Sequence, residues 1–418
     1  MTSQRPLGTV EANGRTYRLP ATPTVVVCVD GSEPGYIEAA IEAGLAPNLA
    51  RIMREGASTT ALSAMPSFTN PNNISIITGR PPAVHGIAGN YFYDPATGEE
   101  VMMNDPRFLR AGTIMKALQD GGAKVAVVTA KDKLRTLLGH GLDYSGGRAV
   151  AFSSEKADKV SLAGNGIADA LGLVGMPVPD VYSAELSEFV FAAGVRLLQT
   201  MRPDVMYLST TDYVQHKAAP GSEGANRFYA MLDRYVGQLD AAGAVVVLTA
   251  DHGMNDKHLP DGSPDVIYLQ DLFDAWTGAG ASRVILPITD PYVVHHGALG
   301  SFATVYLPAG ADTAALLGRL QALEGMELAL DRAGACRRFE LPEDRIGDLV
   351  VVSTRHKVLG TSRDRHDLSG LTEPLRSHGG LTEQRVPMIA NRKVAFRPGH
   401  TLRNFDVFDV ALNLVQAP

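Results

Sequence analysis

Four short apolar runs constrain this chain's fold more than any other feature. They lie at residues 24–29, 125–128, 205–208 and 245–248, and none shows polar alternation. A strand with one wet face alternates apolar and polar residues. A strand apolar at every position is buried on both faces, which is the situation in a parallel sheet covered by helices on each side. The intervening sequence supplies the helices. The stretch 47–55 opens on Pro47 and stops before Gly56, and 184–201 and 227–239 carry apolar residues at helical spacing. The expected fold class is therefore α/β, with a mostly parallel sheet flanked by helices. Ahead of it, Asn13–Gly14 predicts a hairpin over 10–17 closed by a type I′ turn.

The stretch 255–370 reads differently. It holds short strand-like pieces at 301–307 and 348–353, one helix at 313–323, and many Gly, Pro and Asp residues. We read it as a smaller α+β cap inserted into a catalytic core made of 1–254 and 371–418. Composition narrows the function classes. Apolar residues make up 45% and charged residues 20% of 418, which excludes wholesale disorder. A net charge of −7 argues against a nonspecific nucleic-acid binder. Cys28 and Cys336 are the two cysteines, so neither a disulfide framework nor a cysteine zinc site is available. Residues 1–20 are polar, and no apolar run approaches the ~18 residues that span a bilayer. The expectation is a cytoplasmic protein acting on a small molecule, with no membrane or nucleic-acid partner and with a homodimer as the commonest assembly.

Chemistry-bearing residues follow the apolar runs. Asp30 comes just after the first, Asp212 and His216 after the third, and Asp251–His252 after the fourth; His378 stands in Ser377–His378–Gly379–Gly380. Open parallel sheets collect ligands at the carboxyl ends of their strands, so separate strands would deliver carboxylates and imidazoles to one edge. A mixed Asp/His set suits zinc, with manganese as a substitute, and more than four such residues suggest two ions. Thr69, ahead of a short amphipathic helix ending near Gly79, offers a hydroxyl at a helix N-terminus. Such a hydroxyl can serve as a nucleophile or simply as the helix cap. His295–His296 is given no ligand role, because neighbours on an extended strand face opposite ways.

Asp30–Gly31, the Pro66–Ser67–Phe68–Thr69–Asn70–Pro71 string, Asp212 with His216, Asp251–His252–Gly253–Met254 and His378–Gly379 occur in this order along the chain. Together they resemble the alkaline phosphatase superfamily, and within it the nucleotide pyrophosphatase/phosphodiesterase branch. The resemblance implies two zinc ions, one held by Asp212, His216 and His378 and the other by Asp30, Thr69, Asp251 and His252. It also implies attack by Thr69 on phosphorus and a phosphothreonine intermediate that is then hydrolysed. The strings Lys131–Asp132–Lys133 and Gly89–Asn90–Tyr91 resemble those of the carbon–phosphorus bond hydrolases of this branch. That resemblance implies phosphonoacetate as substrate, with Lys131 and Lys133 binding its carboxylate and Asn90 its phosphonate oxygens. Lysine at a helix start runs against the helix dipole, a broken local rule that hints at function.

Two other readings stay open. A phosphodiesterase or nucleotide pyrophosphatase would want a stacking platform, which a 6% aromatic content with Trp276 as the one tryptophan disfavours. A noncatalytic metal- or anion-binding relative would have lost a ligand or the nucleophile, and none is lost. Arg363, Arg365 and Arg376 are minor candidates for added positive charge.

Overall fold

A computed structural model describes residues 8–288 and 298–416. Eleven strands build two sheets: β1 (Thr24–Cys28), β2 (Ala57–Leu62), β3 (Val125–Thr129), β4 (Ala149–Ser153), β5 (Val205–Ser209), β6 (Val245–Thr249), β7 (Arg283–Ile285), β8 (Phe302–Tyr306), β9 (Met326–Asp331), β10 (Leu349–Ser353) and β11 (Arg385–Ala390). The first sheet has seven strands in the order β2–β11–β6–β1–β5–β3–β4. From β6 to β4 every neighbouring pair is parallel, whereas β11 is antiparallel to both β6 and β2. The expected mostly parallel α/β sheet is present, with one reversed strand.

The missing alternation has a direct cause. Val25, Val27, Ala126, Val128, Met206, Leu208, Val246 and Leu248 face one apolar layer. That layer is built from α1 (Pro34–Glu42), α2 (Pro47–Glu55) and two longer helices at Glu185–Thr200 and Glu223–Ala241. Val26, Cys28, Val125, Val127, Val205, Tyr207 and Val247 face the other, which includes Ile74 and Ile77 from α3 (Thr69–Thr78), Leu134 and Leu137 from α4 (Asp132–Leu138), and Phe408. Successive side chains thus enter two different cores, and both must be apolar. The helix expected at 227–239 starts earlier, at Glu223, because the Ser222 hydroxyl caps it by accepting from the Ala225 N–H. The N-terminal hairpin forms with Asn13 and Gly14 both at positive φ.

The second sheet is antiparallel throughout, in the order β7–β8–β10–β9. It has its own apolar cluster, with Phe302, Val305, Leu320, Val350 and Val352, and Phe68 joins that cluster from beside α3. Where the chain leaves the first sheet after β6, Asn255–Asp256 pairs antiparallel with Arg376–Ser377. That pairing carries His378 back beside the β6 exit. Among the described residues no helix is long and apolar enough to cross a membrane, and both cysteines are free thiols.

Candidate active site

Strand register assembles the site. Cys28 lies opposite both Ser209 and Thr249, so β1, β5 and β6 end level. Asp30, Asp212 and Asp251 therefore leave the sheet at one edge. Gly31 makes the first exit possible. Its φ is +70°, and a Cβ there would meet the Asp212 Cβ at 3.0 Å, so only glycine lets the two carboxylate loops come this close.

Asp212, His216 and His378 present ligand atoms within 4.8 Å of one another, and so do Asp30, Asp212 and His252. Individual approaches are 2.9 Å from His216 Nε2 to Asp212, 3.6 Å from His378 Nε2 to Asp212, and 3.2 Å from His252 Nε2 to Asp30. The resemblance groups Asp251 with Asp30 and His252. Here Asp251 lies 3.9 Å from His252 Nε2, with its Oδ1 accepting from the Gly31 and His252 amides and its Oδ2 from Asn73. Asp212 instead reaches toward both groups. Thr69 is the first residue of α3, not its cap, since Phe68 holds the cap position without a side-chain bond. That leaves the Thr69 hydroxyl directed inward, with Oγ1 3.4 Å from His252 Nε2. The helix itself is not amphipathic: from Pro71 to Thr78 every residue is buried.

The donor chemistry calls for cations. Each histidine donates its Nδ1–H to a backbone carbonyl: His216 to Arg376 (2.8 Å), His252 to Gly253 (2.9 Å) and His378 to Ser67 (2.8 Å). All three Nε2 lone pairs then face carboxylate oxygens, acceptor against acceptor. This is the arrangement by which carbonyls fix metal-binding tautomers. The His252 and His378 rings stack 3.6 Å apart at 6°. Asp30 Oδ1 is buried without a hydrogen-bond partner. The carboxylate ligand atoms of Asp30 and Asp212 lie within 4.8 Å of each other, and two charges at that limit would repel by about 3 kcal/mol even at an effective dielectric near 20. Burial, then the neighbouring Asp212 and Asp251 charges, push the Asp30 carboxyl well above its ordinary range. The residues fit a bound metal.

A cavity of about 340 Å³ opens onto this cluster, lined by Asp30, Thr69, Asn90, Lys131, Lys133, Asp212, His216 and His378 among others. Lys131 occupies the N-cap of α4 and Lys133 its first turn. The Lys131 ammonium lies 3.4 Å from the Val181 carbonyl and 5.9 Å from the Tyr182 ring centre. Asn90 Oδ1 accepts the Asn70 N–H at 2.9 Å, which fixes the amide's orientation and leaves its NH2 group to donate. Arg363 and Arg365 are exposed in a short turn, outside the cavity lining. Arg376 is buried behind His216, donating to the Gln215 carbonyl and the Tyr36 hydroxyl. His295 and His296 fall outside the described residues.

Sequence reasoning missed Asn73 and Thr210. Asn73 donates to Asp251 and accepts from the Tyr207 and Ser209 hydroxyls. Its spacing of four from Thr69 on a helix was the available signal. Thr210 Oγ1 accepts the Asp30 N–H, a contact with no local signature.

Comparison with known proteins places the chain in a family. The family model for type I phosphodiesterase / nucleotide pyrophosphatase matches residues 24–381. Structures of phosphonoacetate hydrolase from Sinorhizobium meliloti 1021, in complex with phosphonoformate and with phosphonoacetate, share 64% identity. They cover 98% of this chain and 99% of that one, with a TM-score of 0.95. Murine ectonucleotide pyrophosphatase/phosphodiesterase 5, at 18% identity over 95% of this chain and 96% of its own, has a TM-score of 0.63 and shows the shared fold. A Penicillium oxalicum phosphonoacetate hydrolase is 54% identical over 41 residues, 9% of this chain, and an uncharacterized pyrophosphatase/phosphodiesterase of Schizosaccharomyces pombe is 34% identical over 83 residues, 20% of this chain. The chain spans 57% and 16% of those two relatives' lengths. By the family match over residues 24–381, which include both histidine loops, the chain belongs to the type I phosphodiesterase / nucleotide pyrophosphatase family.

Proposed function

We propose that the protein hydrolyses the carbon–phosphorus bond of phosphonoacetate, giving acetate and phosphate. The observation that carries this reading is the placement of Lys131 and Lys133 on the same cavity as Thr69 and the carboxylate–imidazole cluster. The 64% identity to a protein captured with phosphonoacetate supports the same substrate class.

Asp212, His216 and His378 would hold one divalent cation, and Asp30, Thr69, Asp251 and His252 the other. Zinc suits this mixed donor set and manganese would substitute. Such ions, when bound, lower the pKa of the Thr69 hydroxyl and offset charge on phosphoryl oxygens. The chain's own residues do the rest. Asn90 donates to the phosphonate oxygens and orients them. Thr69 Oγ1 gives up its proton to solvent and attacks phosphorus, forming an O–P bond as the P–C bond breaks. The electron pair passes to the carbon and spreads into the adjacent carboxylate, where Lys131 and Lys133 stabilise the charge as it develops. A solvent proton converts the carbanion to acetate. Water then displaces the Thr69 oxygen from phosphorus, restoring the hydroxyl and releasing phosphate. Residues 255–370 serve as the cap of a core formed by 1–254 and 371–418. The Pro287 carbonyl holds the Asn90 N–H at 2.8 Å, and Ile288 lines the cavity.

The family match favours one competing reading, a phosphodiesterase or nucleotide pyrophosphatase. Phosphate release from phosphonoacetate, measured on zinc-loaded protein beside a nitrophenyl phosphodiester and phosphonoacetaldehyde, separates the two. Release from phosphonoacetate alone, abolished by a chelator, is expected. Release only from the diester would overturn the proposed substrate. Lys131→Ala and Lys133→Ala should each lower kcat/KM for phosphonoacetate about 100-fold while changing nitrophenyl ester cleavage only about two- to three-fold. An aryloxide leaves without a carboxylate clamp, so equal losses on both substrates would defeat the leaving-group argument.

A further inference from the structure

Behind the two histidine loops lies an ion pair that the chemistry above does not use. Lys257 and Glu383 are both fully buried, with Nζ and Oε1 3.0 Å apart. Neither lines the substrate cavity. A buried pair is weak evidence for stability, because desolvation of both charges offsets their attraction. What this pair holds in place is more informative.

Glu383 Oε2 accepts the Gly380 N–H at 2.8 Å, two residues beyond His378. The Glu383 backbone carbonyl accepts the Gly253 N–H at 2.7 Å, one residue beyond His252. Its Oε1 also accepts from Asn255 (2.5 Å) and Thr382 (2.6 Å). Lys257 donates in addition to the Arg355 carbonyl at 2.6 Å, and its own N–H reaches the Leu375 carbonyl at 2.8 Å. One residue therefore grips both histidine loops, and its cationic partner fixes it from behind. The loop geometry leaves little slack: Gly379 has φ +114°, and a Cβ there would meet the Phe68 ring at 2.4 Å.

The two loops carry imidazoles assigned to different cations, and those rings stack at 3.6 Å. We infer that Glu383, held by Lys257, is a positioning residue that sets the spacing of His252 and His378 and so couples the two cation sites to each other. This rests on the two-cation reading above. It predicts that loosening Glu383 weakens both sites together, where loss of a single ligand would weaken mainly its own.

The test compares the full-length protein with Glu383→Ala, Glu383→Gln and the double variant Lys257→Met/Glu383→Gln. The double variant removes both charges and so leaves no unpaired buried ion. Zinc affinities come from competition with a chromophoric chelator, and geometry from the visible absorption of the cobalt-substituted protein. Hydrogen exchange in peptides covering 250–258 and 375–385 is followed without metal. Glu383→Ala should weaken both zinc affinities about 10- to 100-fold and alter the cobalt spectrum, with faster exchange in both peptides. Glu383→Gln, which keeps an acceptor for the Gly380 N–H, should recover part of the loss. If Glu383→Ala does not fold, the double variant decides by the same readouts. Unchanged affinities and spectrum in a folded variant would overturn the inference. If the parent protein binds no zinc, the two-cation reading falls, and the exchange rates alone then decide whether Glu383 positions the loops.

Discussion

At the residue scale, the site depends on which atom of each side chain is already engaged. Three histidines spend Nδ1–H on carbonyls and keep Nε2 for the cluster. Asp251 has both oxygens occupied by amide donors, whereas Asp30 Oδ1 has none. Thr69 stands at the meeting point of these groups, without the capping bond that would give its hydroxyl a purely local role. Thr69→Ala should therefore lower turnover about a thousand-fold or more while zinc affinity falls only modestly. Parallel measurement of kcat and zinc binding checks this. Turnover within ten-fold of the parent would remove Thr69 as nucleophile.

At the element scale, α3 supplies Thr69 and Asn73 from one buried helix, so its seating matters. Ser75 on that helix pairs with His85, which is fully buried in the short turn Pro82–His85. The ring donates Nε2–H to Ser75 and accepts the Ile87 N–H at Nδ1, so it is neutral. Burial, with a smaller contribution from Arg345, pushes its pKa down to about 3. The unfolded chain takes up this proton below about pH 6.5 and the folded chain does not, so stability falls as the pH drops from 6.5 toward 3. This one group should cost about 2 kcal/mol on going from pH 7 to pH 5. His85→Gln should flatten the stability profile over that range in denaturant titrations. An unchanged slope would mean that another group controls acid sensitivity. The reversed strand β11 shows why some elements escape a sequence reading. Its interior Pro387 marks an edge or a non-strand. In the sheet, the ladder to β6 begins only at Met388, so the missing N–H is never needed on that side.

At the scale of the whole molecule, the acidic cluster ties stability to bound cations. Carboxylates that repel in the metal-free protein become ligands when metal is present, so the folded state gains from binding what the unfolded chain holds weakly. At a zinc concentration 1,000 times the dissociation constant, this gain is about 4 kcal/mol. A chelator should therefore lower Tm by several degrees, zinc should restore it, and magnesium should restore it less, since oxygen-preferring ions suit imidazole poorly. Calorimetry in each buffer reads this directly. Identical transitions with and without chelator would separate the cluster from stability altogether.

The sequence alone determined what depends on local composition and spacing. Unalternated strands imply burial on both faces, and acidic residues just past strand ends imply a shared edge. Asp30, Asp212, His216, Asp251 and His252 were singled out in this way, Thr69 as a hydroxyl at a helix start and His378 as a further histidine beside two glycines, with Lys131, Lys133 and Asn90 added by resemblance. Only the tertiary structure decided how they share that edge. Asp212 lies between two groups of ligands because Gly31 lets the loops approach, and Asn73, Thr210 and the Lys257–Glu383 pair make their contacts across 126 to 180 residues of sequence separation. No periodicity records such contacts. They exist because buried donors and acceptors must find partners wherever the packed chain brings them.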